Sequence, residues 1–426
     1  MIKSSWAVLL CKFNDDSTEP FTRDYYEDLF TASGVGSQNM VDFFRDVSHG
    51  NLDLSDTRVF GWYTLNKKRS DYTGLDTRAD LIKWARQAAV ANGDDLSPYV
   101  SVVVCMNVLT DLFGGDDGAV CDPDSTDPRF LGQEMGHFYG LDHSRAETVK
   151  PCGNDPIDYK DFWDVMSTAG CAFSAPHARY RFIGPGLNAA NMASRGWLDE
   201  SRVWTRAKGN RSFDTVVTLR PLHRRDLPGF LAARLGEYLV EFRSQERWDA
   251  AIPKPAVLIH RFEDNHSYIM SANNGEQDLV AGNVFGTTDV GNSIIIASTT
   301  GLEVVEINAD ERFAKIRLVH RPAFEEPSLG PGILFGGVAN GGAGIIILLG
   351  GTITIKPVPP HSPFVQILQQ VAAYESSEAI SSVHIRNTVR RETLSAIASL
   401  IENQMQTLQT FRQPAPPQQT QECEGE

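Results

Sequence analysis

Positive charge is scarce in this chain of 426 residues: 39 lysines and arginines stand against 54 aspartates and glutamates, a formal net charge of −15. That balance excludes a chain-wide nucleic-acid footprint, which needs clustered cations to displace counterions from phosphate. Cysteine is sparse as well. Of six, Cys423 lies in a polar tail, and Cys11, Cys105, Cys121, Cys152 and Cys171 remain in the body. Such usage permits disulfides without requiring them, and spacing alone does not pair them. The opening run Met1–Cys11 holds a basic residue and a short apolar stretch, but it lacks the length and the small-residue cleavage site of a secretion signal. It reads instead as a first β-strand closed by Asn14-Asp15-Asp16. A composition of 42% hydrophobic and 22% charged residues leaves no room for wholesale disorder, collagen or coiled coil.

The length suggests two or three domains, each able to bury a core. From residue 1 to about 200, helical and strand patterns alternate, which is an α/β signature. Ser37 can cap a helix with apolar positions at Met40, Val41, Phe43, Phe44 and Val47. Strand-like Val59 to Leu65 follows, then a helix from about Asp80 to Asn92 that Gly93 stops. The nearly continuous apolar run Tyr99 to Cys105 predicts a central strand covered on both faces. From about 201 to 325 the period becomes two, with candidate strands at Val216–Leu219, Tyr238–Phe242, Ala256–His260, Ser293–Ala297, Leu302–Ile307 and Phe313–Leu318. Short strands separated by turn signals predict a β-sandwich-like accessory domain.

Pro327 to Ile355 carries no charged residue and contains nine glycines. Its length would span a bilayer, which makes membrane association one reading of it. The paired glycines and Thr352-Ile353-Thr354-Ile355 favour a Gly/Pro-rich apolar linker over 326–360 that ends in a strand. Helical spacing returns within 361–426, and the Pro/Gln-rich end is compositionally disordered.

The segment richest in chemistry runs from Asp127 to His143. Asp127 is a helix cap and Pro128 a first helical residue, so a helix should extend to about Tyr139. Gln133 and His137 are four apart and share a face, with Glu134 beside them. Gly140 can take the left-handed conformation that ends the helix and lets His143 swing back toward His137. Two imidazoles and an adjacent carboxylate converging on one point are what a hydrolytic metal site needs. The nitrogens hold a cation, an open position holds water of lowered pKa, and Glu134 takes its proton and later returns it to the leaving amine.

This segment resembles the metzincin metallopeptidase signature HExxHxxGxxH, with Gln133 in place of the first histidine. The form QExxHxxGxxH is that of the gametolysin family. Asp164-Val165-Met166-Ser167, its methionine 23 positions after His143, looks like the methionine turn of those enzymes. Similarity to gametolysin and to the immune inhibitor A group extends to Ser48-His49-Gly50 and to Asn188 through Gly196-Trp197-Leu198. The resemblance implies an α/β (α+β) catalytic domain over 1–200 with a mixed sheet and an active-site helix, acting on polypeptide substrates. It further implies Glu134 as catalytic base, His137, His143 and Gln133 as zinc ligands, and Gly140 and Met166 in structural roles. Family members are commonly exported.

Gln133 leaves three readings open. Its amide oxygen is a weak ligand in an active enzyme, or it marks another metal such as copper, or the chain is a catalytically impaired relative that binds protein or glycan. His177 is a conceivable substitute ligand, although a loop histidine is the plainer reading. Tyr180 could stabilise an oxyanion, although its offset from Met166 favours a packed tyrosine. A Cys152–Cys171 disulfide would rigidify the wall of the pocket. The aspartates at 111, 116, 117, 122, 124 and 127 could hold calcium or form a solvated loop. A third view of the whole chain is a membrane-associated or self-assembling protein built on the glycine-rich run.

Overall fold

The structure, a computed structural model, describes residues 1–150, 152–168, 170–206, 212–286, 299–321, 343–349 and 352–358. It is mixed α/β, with several sheets and few helices, and it divides into two compact units, Met1–Ala323 and Phe324–Glu426.

The first unit begins with a five-stranded sheet built from β1 (Trp6–Lys12), β2 (Arg58–Thr64), β3 (Ser101–Met106), β4 (Phe113–Gly115) and β5 (Gly118–Cys121). Its order is β2-β1-β3-β5-β4, with every neighbour parallel except the edge strand β4. All six residues of β3 are buried because helices cover both faces. On one face Val8, Leu10, Val103 and Cys105 pack with helices α1 (Arg23–Phe30), α2 (Met40–Val47) and α4 (Pro128–Phe138). On the other, Ala7, Leu9, Val102 and Val104 pack on α3 (Arg78–Ala91). The period of two along each strand thus feeds two separate cores.

Helix α2 corrects one expectation. Its cap is Asn39, not Ser37: the Asn39 side chain accepts from the Asp42 N–H at 3.0 Å. The same amide donates to the Asp28 and Thr31 carbonyls, so three bonds hold this cap where a serine hydroxyl offers fewer.

Beyond α4 come the short strand β6 (Arg145–Ala146) and helix α5 (Ala189–Ser194), and then the chain becomes β-rich. Strands β7 (Val203–Trp204), β9 (Ala232–Leu235), β10 (Tyr238–Arg243), β11 (Ala256–Glu263) and β12 (His266–Ile269) form one sheet, which β6 completes at its edge. The antiparallel order β8-β15-β14-β13 makes a second sheet from β8 (Phe213–Leu219), β13 (Val284–Gly286), β14 (Thr299–Asn308) and β15 (Phe313–Arg321). The two share a core that includes Leu219, Val240, Phe242, Ile259, Val304 and Ile316. The strand expected at Ser293–Ala297 lies outside the described residues.

Residues on either side of position 200 pack together within the first unit. Trp248 Nε1 donates to Asp46 at 2.9 Å, His49 Nε2 lies 2.9 Å from the Leu222 carbonyl, and β6 pairs with β12 in parallel.

In the second unit, Ala343–Leu349 pairs antiparallel with Thr352–Val358. Part of the uncharged glycine-rich run is therefore in antiparallel strands. Among the described residues, no helix is long and apolar enough to cross a membrane. The helical spacing and polar tail expected beyond residue 360 lie outside the described residues.

Candidate metal and catalytic site

Helix α4 forms where its signals predict. Asp127 accepts from the Phe130 N–H at 3.2 Å, and Pro128 fills the first turn. Gly132 and Gly136 lie one turn apart and let other elements approach the helix closely. A Cβ on Gly132 would stand 2.9 Å from the Phe43 ring, and one on Gly136 would stand 2.9 Å from Met166 Sδ. The short turn Val165–Ser167 therefore seats the fully buried Met166 against the helix that carries Gln133, Glu134 and His137. The helix ends at Phe138, and Gly140 follows at φ +77°, a conformation that suits glycine and reverses the chain toward His143.

The structure brings together the four residues expected to carry chemistry. The rings of His137 and His143 are 4.9 Å apart between centroids, edge to face. His137 Nδ1 lies 2.8 Å from the Leu141 carbonyl, which can only accept. In the neutral ring the proton therefore sits on Nδ1 and Nε2 keeps its lone pair, with Glu134 Oε2 4.0 Å from that nitrogen. His143 Nδ1 faces Asp158 Oδ2 at 3.2 Å. Burial, then the neighbouring His143, lowers the His137 pKa and favours the neutral ring. Burial pushes Glu134 up to about 7, against a hydrogen bond from Gln133 that works in the opposite direction. A carboxylate so tuned is matched to taking a proton near neutral pH.

Gln133 is 1% exposed, and its Nε2 donates to Glu134 Oε1 at 3.0 Å. Among the described residues, no group of three or more His, Cys, Asp or Glu stands together as a metal site. The convergent set is instead two imidazoles, one amide and, beside them, a phenol.

That phenol, Tyr159, was not singled out from the sequence. Its hydroxyl is 2.8 Å from His143 Nε2, and its ring stacks at a tilt 4.0 Å from the imidazole. Burial, then the nearby Glu134, pushes its pKa up to about 12, so the hydroxyl is a donor at neutral pH. Asp158 was missed too. Burial would raise its pKa, but hydrogen bonds from Arg145 and His143 outweigh that and hold it below the usual carboxylate value. The available signal was position: Asp158 and Tyr159 lie between Cys152 and Cys171, which form a disulfide with Cα atoms 6.0 Å apart. The loop so closed carries both residues and the methionine turn.

Other candidates are engaged elsewhere. Tyr180 is fully buried and donates to the Asp28 carbonyl at 3.2 Å. His177 Nδ1 accepts from the Arg179 and Tyr180 N–H groups within its own turn. The acidic run is dispersed: Asp111 pairs with Arg78, Asp122 binds the 124–125 turn, and Asp127 caps α4. The Arg78–Asp111 pair stands beside edge strand β4, where Arg78 covers the Phe113 ring at 4.5 Å.

Beneath the site lies a buried polar network. Asp164 accepts from the Met166 and Asn188 N–H groups and from Ser144 Oγ, the neighbour of His143. Burial, then Asp161, raises its pKa. Asp161 in turn holds His260 Nε2 of β11 at 3.0 Å. These bonds fix the methionine turn to the β-rich part of the unit.

No family model matches the chain, and no curated protein matches it.

Proposed function

We propose that this chain is a metal-dependent endopeptidase of metzincin type, similar to the gametolysin family. The observation that carries the reading is the convergence of His137 and His143 at 4.9 Å between ring centroids, with the buried Glu134 carboxylate 4.0 Å from His137 Nε2. His137 and His143 would hold the ion through Nε2, with Gln133 Oε1 as a weaker third donor. Two imidazoles and an amide oxygen suit zinc, and they tolerate copper. Zinc in such a site supplies Lewis acidity and makes water a nucleophile near neutral pH. Glu134 takes the proton of the attacking water and delivers it to the leaving amine. The Tyr159 O–H, which donates to His143 Nε2 at 2.8 Å, would have to yield that lone pair to the ion; once turned away it can donate to the carbonyl oxygen of a bound peptide as negative charge develops there. Edge strand β4, next to α4, offers backbone groups on which an extended polypeptide can align.

One observation favours a second reading, an impaired relative that binds protein or glycan without turnover. The Gln133 amide occupies Glu134 Oε1 at 3.0 Å, a bond that competes with the role of base.

Cleavage of a generic unfolded protein by the full chain separates the two. The peptidase reading predicts cleavage that chelators abolish, zinc restores and Glu134→Ala lacks. Bound metal with no cleavage supports the second reading, and cleavage unaffected by Glu134→Ala contradicts the first.

A further inference from the structure

His143 is steered by a carboxylate that is itself steered from the β-rich part of the unit. Asp158 Oδ2 meets His143 Nδ1 at 3.2 Å, while its Oδ1 accepts from Arg145 Nε at 2.6 Å. Arg145 lies in β6, which pairs with β12 at Tyr268, and its Nη1 contacts the Tyr268 hydroxyl at 3.1 Å. The same strand holds the His143 backbone, because His266 Nδ1 lies 2.8 Å from the His143 carbonyl. An ionised carboxylate only accepts, so it fixes the His143 proton on Nδ1 and leaves Nε2 as a lone pair. The Tyr159 hydroxyl, 2.8 Å from that nitrogen, is then the donor of their bond.

We propose that Asp158, oriented by Arg145, is the positioning residue that sets the His143 tautomer, and that the sheet reaching β6 thereby governs how well this site holds a divalent cation. The claim about the cation rests on the metallopeptidase reading above; the claim about the tautomer does not. Arginine has only donors, so it dictates what an amide at position 158 does. In Asp158→Asn the amide oxygen must face Arg145, which turns the NH2 group toward His143 and drives the ring proton to Nε2, the atom a cation needs. Removing the arginine lets the oxygen turn back toward His143.

The test is ¹⁵N NMR of the ring nitrogens in metal-free full chain labelled at histidine, at a pH where the ring is neutral. His143→Gln supplies the assignment. The expected result is a proton on Nδ1 in the wild type, on Nε2 in Asp158→Asn, and again on Nδ1 in Asp158→Asn/Arg145→Met. Zinc affinity by chelator competition should fall about 10- to 100-fold in Asp158→Asn and partly recover in the double variant. A wild-type ring carrying its proton on Nε2 overturns the proposal, even if no variant folds. So does an Asp158→Asn chain whose tautomer and affinity match the wild type. A wild type that binds no zinc but shows these tautomers overturns the metal reading and leaves the positioning role standing.

Discussion

Gly114 of the edge strand touches the backbone of Glu134 so closely that a Cβ on it would lie 1.9 Å from the Glu134 carbonyl oxygen. Backbone cannot rotate away as a side chain can, so a methyl group here must push β4 off α4. Gly114→Ala is therefore expected to destabilise the fold by about 1–3 kcal/mol, the usual cost of overpacking. It should also depress cleavage more than binding of metal. Urea unfolding together with zinc affinity checks this; unaltered stability would contradict the contact.

His49 supplies a pH dependence whose sign is determined. Its Nδ1 accepts from the Asp199 N–H at 3.1 Å and its Nε2 faces the Leu222 carbonyl at 2.9 Å, an arrangement that only the neutral ring satisfies. Burial lowers its pKa to about 4. Below about 6.5 the unfolded chain takes up the proton first, so this contribution is complete above that pH. It is lost as pH falls toward 4, at about 1.4 kcal/mol per unit. His49 sits at φ +49°, which asparagine tolerates, so His49→Asn is the suitable variant. Between pH 7 and 5 the wild type should lose more stability than His49→Asn in urea titrations; equal losses would contradict the assignment.

Gln133→His should tighten zinc binding by about tenfold or more, because imidazole is the better donor to zinc at a position one helical turn from His137. Chelator competition measures it. An unchanged affinity would mean that residue 133 does not face the ion.

Much of the first part of the fold was legible. The cap at Asp127, Pro128 and the turn at Gly140 are local signals, and α4 spans Pro128–Phe138 accordingly. Strand β3 follows from its unbroken apolar run. The cap of α2 was misplaced at Ser37 because Asn39 draws much of its advantage from carbonyls of a preceding helix and turn, which no local pattern reveals. Asp158 and Tyr159 were missed for a similar reason. They lie in a loop without periodicity, and a disulfide together with contacts at Arg145 and His143 delivers them to the site. Trp248 on Asp46 and β6 on β12 are long-range pairings that link segments of different periodicity, and each segment alone carries no sign of them.

The most direct measurement is the zinc content of the full chain after dialysis, compared with His137→Ala and His143→Ala. The account predicts one zinc per wild-type chain, lost in each variant while both remain folded. A chain that holds no zinc or copper, or one that keeps its metal when either histidine is removed, would contradict it.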